Sequence, residues 1–370
     1  MILAYLRILS KDPTRIFKVS PKRILKIISL FFSVKSKLII GYFFNIIINL
    51  LLILFKNKKH TKKGNILFVG EIYFSENKKC KSSNYYGPYL SLKKENIEFD
   101  SYFISNNFFK KITIFHKIIF SGYKKIILSS NTPGDPKCFT YFQIKILKEK
   151  YGIEFINILW DTCDKTFLSK RKDVYICDKN IILDQDFKKI HNNYKKDNIY
   201  QRISTYDEEE LITLSNNRDL KKDIDLIFIG QTGAYRGYRL EILNFLKANT
   251  NIFTSEKLRN DFLPDDEYFN LMSRAKMTVN FSMSVDFHQM KGRCLESFIF
   301  KTLVFEDERS PLTEFFRHDL ELITYKNKHD LLDKINFYSK NDIERERITN
   351  NAKKKYITDY NEKNYWEGII

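Results

Sequence analysis

Beyond residue 64, short unbroken apolar runs alternate with longer segments of helical periodicity. Asn65-Ile-Leu-Phe-Val-Gly70 fits a first buried strand, ending in a loop that holds Gly70 and Glu71. A helical stretch follows near Tyr85 to Glu95. Ile97–Ile104 and Lys125–Ser129 read as strands, Phe139–Lys150 as a helix, and Ile153–Trp160 as a strand ending at Asp161. Val174–Cys177 and Ile181–Leu183 read as short strands. The polar stretch from Tyr206 to Asp225, with three consecutive acids Glu208, Glu209 and Glu210, reads as a connection between domains.

A second series opens with the strand Asp225-Leu-Ile-Phe-Ile-Gly230 and a helix over Tyr235–Ala248. A strand at Ile252–Thr254, a helix at Asp266–Ala275 and a strand at Met277–Phe281 follow. Next come a helix from Gly292, a strand at Leu303–Phe305, a last strand at Leu320–Tyr325, and further helices. Apolar runs separated by helices of about ten to fifteen residues predict parallel βαβ units. Two such series predict an α/β fold of two Rossmann-like domains facing a cleft. The predicted divisions are an appendage over 1–63, a first domain over 64–205, a linker over 206–222, a second domain over 223–355, and a tail over 356–370 that can pack back on the first domain.

The appendage has a different pattern. Leu38 to Phe55 is an eighteen-residue run without a charge. As a helix it would be just long enough for a hydrocarbon core of roughly 30 Å. Before it, Pro21–Val34 sets Lys22, Arg23 and Lys26 beside Ile24, Leu25, Ile27, Ile28, Phe31 and Phe32, a basic amphipathic pattern. Gly41, Asn45 and Asn49 form a weaker stripe through the apolar run. Three readings stand: a membrane span, interfacial helices on anionic lipid, or helices packed on the protein itself. Basic residues on both flanks give no orientation by the positive-inside rule. The apolar run starts too late for a cleaved signal peptide.

Charge sharpens this picture. Residues 1–63 hold fourteen Lys or Arg against one acid, Asp12, so +13 of the net +18 sits there and the rest of the chain supplies +5. The expected partner of the appendage is the anionic inner face of the cell membrane, with the protein peripheral or monotopic. Nucleic acid is not expected, because the long aliphatic runs would need burial elsewhere. At 370 residues the chain has length for two domains. Its five cysteines include no C-x-x-C pair, so neither a disulfide framework nor a zinc site is indicated, and a reducing cytoplasmic setting fits.

The chemistry gathers in the second series. Phe228-Ile-Gly-Gln-Thr-Gly-Ala-Tyr-Arg-Gly-Tyr-Arg239 is a strand, a glycine-containing loop and a helix start. Gly230 and Gly233 allow close backbone approach, the helix N-terminus suits a phosphate, and Arg236 and Arg239 add charge. It is not G-x-G-x-x-G, so no nicotinamide cofactor is signalled. The alternative is an ordinary β-turn-α connection with solvent-facing arginines. Gly292-Arg-Cys-Leu-Glu296 places Arg293 and Glu296 three apart on one helix face, one suited to phosphate and the other to ribose hydroxyls. The alternative there is a surface ion pair. In the first domain Asp161 fits either a general base or a helix cap, and Glu71 is a second candidate acid. Asp184 and Asp186, after the strand Ile181–Leu183, resemble a metal-holding pair of a GT-A enzyme, with turn and cap roles as the alternative.

From about Asn65 to its end, the chain resembles GT-B glycosyltransferases, nearest the spore-maturation-type glycosyltransferase-like group, with a family 1/4-like donor domain. The resemblance rests on Phe228-Ile-Gly230 with Tyr235, Arg236 and Arg239, and on Tyr268-Phe-Asn-Leu-Met-Ser-Arg-Ala-Lys-Met-Thr-Val-Asn280. Gly292-Arg-Cys-Leu-Glu296, Pro311-Leu-Thr-Glu-Phe-Phe316 and Leu320–Asn327 complete it. It implies a nucleotide-sugar co-substrate held by the second domain, no cofactor and no metal. Glu296 would accept from the ribose, and Arg236, Arg239 and Arg293 would neutralise the diphosphate. Where retaining relatives often carry an acid, eight residues before that Glu, this chain has His288, a candidate contact to the sugar. Phe300-Lys-Thr302 stands where relatives have a small Ala-Gly turn. The expected activity is sugar transfer to a hydroxyl on a cell-envelope glycan or lipid-linked acceptor. A non-catalytic membrane-surface protein on an inactive scaffold, or a metal-dependent GT-A enzyme, is the alternative.

Overall fold

The computed structural model describes residues 41–50, 52–53, 66–74, 79–81, 85–104, 108–129, 138–160, 173–183, 197–230, 237–255, 263–281 and 290–370. The first domain is built on β1 (Ile66–Phe74), β2 (Lys79–Lys81), β3 (Phe99–Ile104), β4 (Lys125–Ser129), β5 (Glu154–Leu159), β6 (Lys179–Ile182) and β7 (Ile199–Gln201). Its parallel strands run in the order β3-β1-β4-β5-β6-β7, and β2 extends β1 as an antiparallel hairpin. β1 opens with the apolar run Ile66–Val69 and β4 is centred on Ile126–Leu128, the pattern of strands covered on both sheet faces. On one face Leu67, Val69, Ile126 and Leu128 pack against the helices Phe108–Ser121 and Tyr141–Tyr151. On the other, Ile66, Phe68, Ile127 and Ile156 meet Tyr365, Trp366 and Ile369 from the far end of the chain.

The second domain holds β8 (Ile224–Phe228), β9 (Phe253–Thr254), β10 (Ala275–Val279), β11 (Leu303–Asp307) and β12 (Ile323–Tyr325), all parallel, in the order β12-β11-β10-β8-β9. Both sheets therefore reverse strand order beside their first strand, between β1 and β4 and between β8 and β10. Open α/β sheets bind ligands outside the carboxyl ends of strands at such a reversal.

Local chemistry explains the elements. Thr140 and Gln143 form a reciprocal capping box at the start of Tyr141–Tyr151, and Gly152 closes that helix at φ 66°. The stretch from Tyr206 to Asp225 contains the helix Glu208–Ser215. Asp207 caps it by accepting from Glu210 N at 2.7 Å, and the three glutamates form a first turn that suits the helix dipole. Leu211 is buried with Phe269 and Met272, so this helix belongs to the core of the second domain. Val174–Cys177 is not a strand: Asp173–Ile176 is one helical turn whose carbonyls, of Val174 and Ile176, accept from Asn180 and Lys148. Phe300-Lys-Thr302 makes its turn without glycine, with Lys301 at φ 53° and Thr302 N donating to Ser297 O.

The domains touch through specific groups. The Tyr86 hydroxyl donates to Asp265 at 2.8 Å, and its ring meets Phe269 edge-on at 5.1 Å. Lys94 bridges Asp207 and Glu362, both at 3.2 Å. After the long helix Asp342–Asp359, the helix Glu362–Trp366 returns to the first domain, where Trp366 Nε1 donates to Ser91 Oγ at 2.8 Å and Lys179 Nζ to Ile369 O at 2.7 Å.

Residues 41–50 are helical and lie on the first domain. Asn45 and Asn49 face inward, accepting from Lys111 and Gln143. Among the described residues no helix is long and apolar enough to cross a membrane.

Candidate functional site

The second sheet's reversal falls between the ends of β8 and β10. Two arginines converge there on one ring. Arg293 lies over Phe228, 4.7 Å from the centroid, and its Nη1 donates to Ile229 O at 2.7 Å. Arg239, almost fully buried, lies 5.6 Å from the same ring and donates from Nη2 to Phe281 O at 3.0 Å. The aromatic face and two strand-end carbonyls thus hold two cations together at the carboxyl edge of the sheet. Gly230 permits this: a Cβ there would lie 2.8 Å from Arg293 Nη1 and 3.0 Å from the Phe228 ring. Arg293 Nε is buried without a hydrogen-bond partner among the described residues, a donor still to be matched.

One turn along the helix Gly292–Ile299, Glu296 is buried and accepts from the Tyr268 hydroxyl. Burial pushes its carboxyl up to about 7, a rise that the Tyr268 hydrogen bond and the Arg293 charge hold in check. The same burial, with Glu296 alongside, holds the Tyr268 phenol well above its ordinary value. The surface ion pair is thereby corrected: Arg293 and Glu296 share a helix turn, but their hydrogen bonds go to different partners. Gly292 permits the close approach of Tyr206: a Cβ there would press on the Tyr206 hydroxyl and stand 3.6 Å from Glu296 Oε1. Lys291 at the helix start makes no side-chain cap, and the positive end of the helix dipole there suits an anion.

A second acidic group at the end of β11 escaped the sequence reading. Glu306 is fully buried, accepts from Asn280 Nδ2 at 2.7 Å and Cys294 Sγ at 3.4 Å, and is raised by burial to about 7. Asp307 holds Arg309 through both carboxylate oxygens, at 2.8 and 2.6 Å, and receives the Tyr238 hydroxyl at 3.4 Å. Two acids closing an otherwise apolar strand were the available signal, because charge at a buried strand end needs a reason.

Of the predicted site residues, Gly230, Arg239, Arg293 and Glu296 come together. Gly233, Arg236 and His288 lie outside the described residues, as do Asp161, Asp184 and Asp186. The backbone of Glu71 pairs with Ile104 beside the reversal of the first sheet, while its side chain lies outside the described set. Trp160, next to Asp161, donates to Ser129 Oγ at 3.1 Å across the ends of β4 and β5. Among the described residues no group of three or more His, Cys, Asp or Glu could hold a metal ion.

Two Rossmann-like domains with their strand ends turned to one cleft, and a C-terminal helix crossing back, are the GT-B fold of glycosyltransferases. Residues 218–370 match the model of a family described as glycosyl transferase-like. The chain is similar to Anabaena Alr3699/HepE in complex with UDP-glucose, at 11% identity and TM-score 0.52, covering 80% of this chain and 96% of that one. It is similar to a glycosyltransferase from Rickettsia africae at 13% identity and TM-score 0.54, covering 83% and 96%. An α-glucosyltransferase in complex with UDP and a 13-mer DNA aligns at 12% identity and TM-score 0.55, covering 82% and 97%. No curated protein matches the chain significantly in sequence.

Proposed function

We propose that this protein is a glycosyltransferase of the spore-maturation-like group, which transfers a sugar from a nucleoside diphosphate donor. The acceptor is a hydroxyl on a cell-envelope glycan or lipid-linked saccharide at the cytoplasmic membrane face. The observation that carries the reading is the convergence of Arg239, Arg293 and Glu296 at the reversal of the second sheet. A uridine diphosphate donor is favoured by the UDP and UDP-glucose bound to structural neighbours.

In the transfer, the bond between the sugar's anomeric carbon and the diphosphate oxygen breaks, and its electron pair leaves with the diphosphate. The anomeric carbon bonds the acceptor oxygen, whose proton goes to a base on the first domain, Asp161 or Glu71. Arg293 and Arg239, with Arg236 from the adjoining loop, stabilise the charge growing on the departing diphosphate. Glu296 accepts from the ribose hydroxyls, His288 contacts the sugar, and closure of the cleft keeps water from the anomeric carbon.

A hydrolysis screen of nucleotide sugars with purified protein tests this reading and names the donor. Calorimetry with nucleoside diphosphates accompanies it. Turnover of none and binding of none would reject the donor site and leave an inactive scaffold.

A further inference from the structure

The helix of residues 41–50 turns its two asparagines inward beside Ile48 and exposes an apolar stripe on its other side. Asn45 Oδ1 accepts from Lys111 Nζ at 2.7 Å and from Gln143 Nε2 at 3.1 Å, and Asn49 accepts from Gln143 at 3.3 Å. Ile48 and Leu52 complete the inward side, fully buried against Phe115, Ile144 and Leu147. Lys150 Nζ and the Tyr151 hydroxyl then donate to Leu52 O, at 2.9 and 3.1 Å. On the other side Tyr42, Phe43, Ile46, Leu50 and Ile53 are each 51 to 60% exposed.

These polar bonds fix the roll of the helix, so its apolar side cannot turn inward without breaking the bonds from Lys111 and Gln143 to Asn45. On the neighbouring helix Tyr141 and Phe142 are exposed too, both 44%. Contiguous apolar patches of this kind mark a binding surface.

We infer that this face is a lipid-docking surface, which seats the first domain on an anionic bilayer with the helix lying in the plane of the headgroups. Charge selects this occupant. Lys35 and Lys37 precede the helix in sequence, and Lys56, Lys58, Lys59, Lys62 and Lys63 follow it, with no acid between residues 35 and 63. Basic residues bracketing an apolar stripe with aromatic members fit an interfacial helix on acidic headgroups. The inference rests on the membrane part of the proposed function and deepens it, because spanning is incompatible with the inward asparagines.

It also orients the enzyme. Asn45 meets Gln143 near the start of Tyr141–Tyr151, and Leu52 meets Lys150 near its end, so the two helices run the same way. Tyr141–Tyr151 starts from the carboxyl edge of the sheet, after β4. The aromatic end of the lipid face, with Tyr42, Phe43, Tyr141 and Phe142, therefore lies on the cleft side of the domain. A lipid-linked acceptor would need to rise only a short way to reach the cleft.

The test uses the full chain with phosphatidylcholine vesicles, with and without phosphatidylglycerol. Wild type should sediment with the anionic vesicles. Phe43→Ser/Ile46→Ser/Leu50→Ser should lower the partition coefficient at least tenfold, while Ile343→Ser, at an exposed position of the second domain, should not change it. Should the triple variant fail to fold, Ile46→Glu alone must show the loss. An environment-sensitive dye on Phe43→Cys, with Cys80 and Cys163 replaced by Ser, should report water before vesicles are added and an apolar setting afterwards. A dye already shielded without vesicles means that residues 1–37 or a second copy covers the face, and overturns the inference. So does vesicle binding untouched by the variants, or no binding by wild type. Calorimetry with UDP on the same samples separates the two readings: nucleotide binding without vesicle binding sinks only the docking face, and the reverse sinks only the donor site.

Discussion

Replacing Glu296 with Gln probes the proposed ribose contact through both affinity and protons. The carboxyl is buried, raised to about 7, and adjacent to the Arg293 charge. Ribose hydroxyls donate best to its ionised form. Hydrogen bonds to a charged acceptor contribute about 1.5–3 kcal/mol each, so losing the charge beneath a diol should cost about 3 kcal/mol, or roughly 150-fold in Kd at pH 8. Below pH 7 the wild-type carboxyl is already protonated. The wild-type advantage should therefore shrink by about tenfold between pH 8 and pH 6. Binding should also expel a proton from Glu296 near pH 7, because the bound hydroxyls favour the ionised form. Calorimetry with UDP at pH 6, 7 and 8, in two buffers of different ionisation enthalpy, reads both effects. The nucleotide's terminal phosphate titrates in the same range, so each comparison is wild type against variant at one pH. Equal affinity of the two proteins at pH 8, or equal proton release at pH 7, would refute the ribose role.

Three further outcomes follow from the geometry. Arg293→Ala should leave the fold intact and lower kcat/KM at least a hundredfold, about 3 kcal/mol of lost transition-state stabilisation; near-normal turnover would remove Arg293 from the site. Gly230→Ala forces a methyl to 2.8 Å from Arg293 Nη1 and should cost about 1–3 kcal/mol of stability together with nucleotide affinity, which a denaturant titration and a binding curve would each detect. Glu306, raised from 4.5 to about 7, keeps a proton in the folded state that the unfolded chain has released. It therefore lowers stability as pH rises from about 4.5 to about 7, by about 3 kcal/mol in all, and the penalty is constant above that window. Glu306→Gln should accordingly gain on wild type in urea between pH 5 and pH 8; a constant difference would contradict this account.

The sequence carried the second domain well because its signals are local. Asp225–Gly230 and Leu303–Phe305 are apolar runs flanked by helices, and the structure makes them β8 and β11 with little adjustment. Gly230, Arg239, Arg293 and Glu296 were likewise readable as types at spacings. Their partners were not, since Phe228, Tyr268 and the carbonyls of Ile229 and Phe281 meet them only through the tertiary fold. Glu208–Glu210 misled because acids in a helix's first turn look like a solvated linker until the Asp207 cap is seen. Val174–Cys177 misled because so short an apolar run fits strand and helix equally. The asparagine stripe at 45 and 49 resembled a flaw in an apolar helix, and the inward face became legible only with Lys111 and Gln143 in place.

The return of Tyr365, Trp366 and Ile369 to the face of the first sheet has a consequence for synthesis. Ile66, Phe68, Ile127, Ile156 and Ile181 are made early, yet their cover is encoded about two hundred residues or more downstream of most of them. Until the last residues are made, Tyr89 and Leu92 cover that face of the first sheet without Tyr365, Trp366 and Ile369. A late nonsense mutation would therefore remove core contacts from the domain translated first.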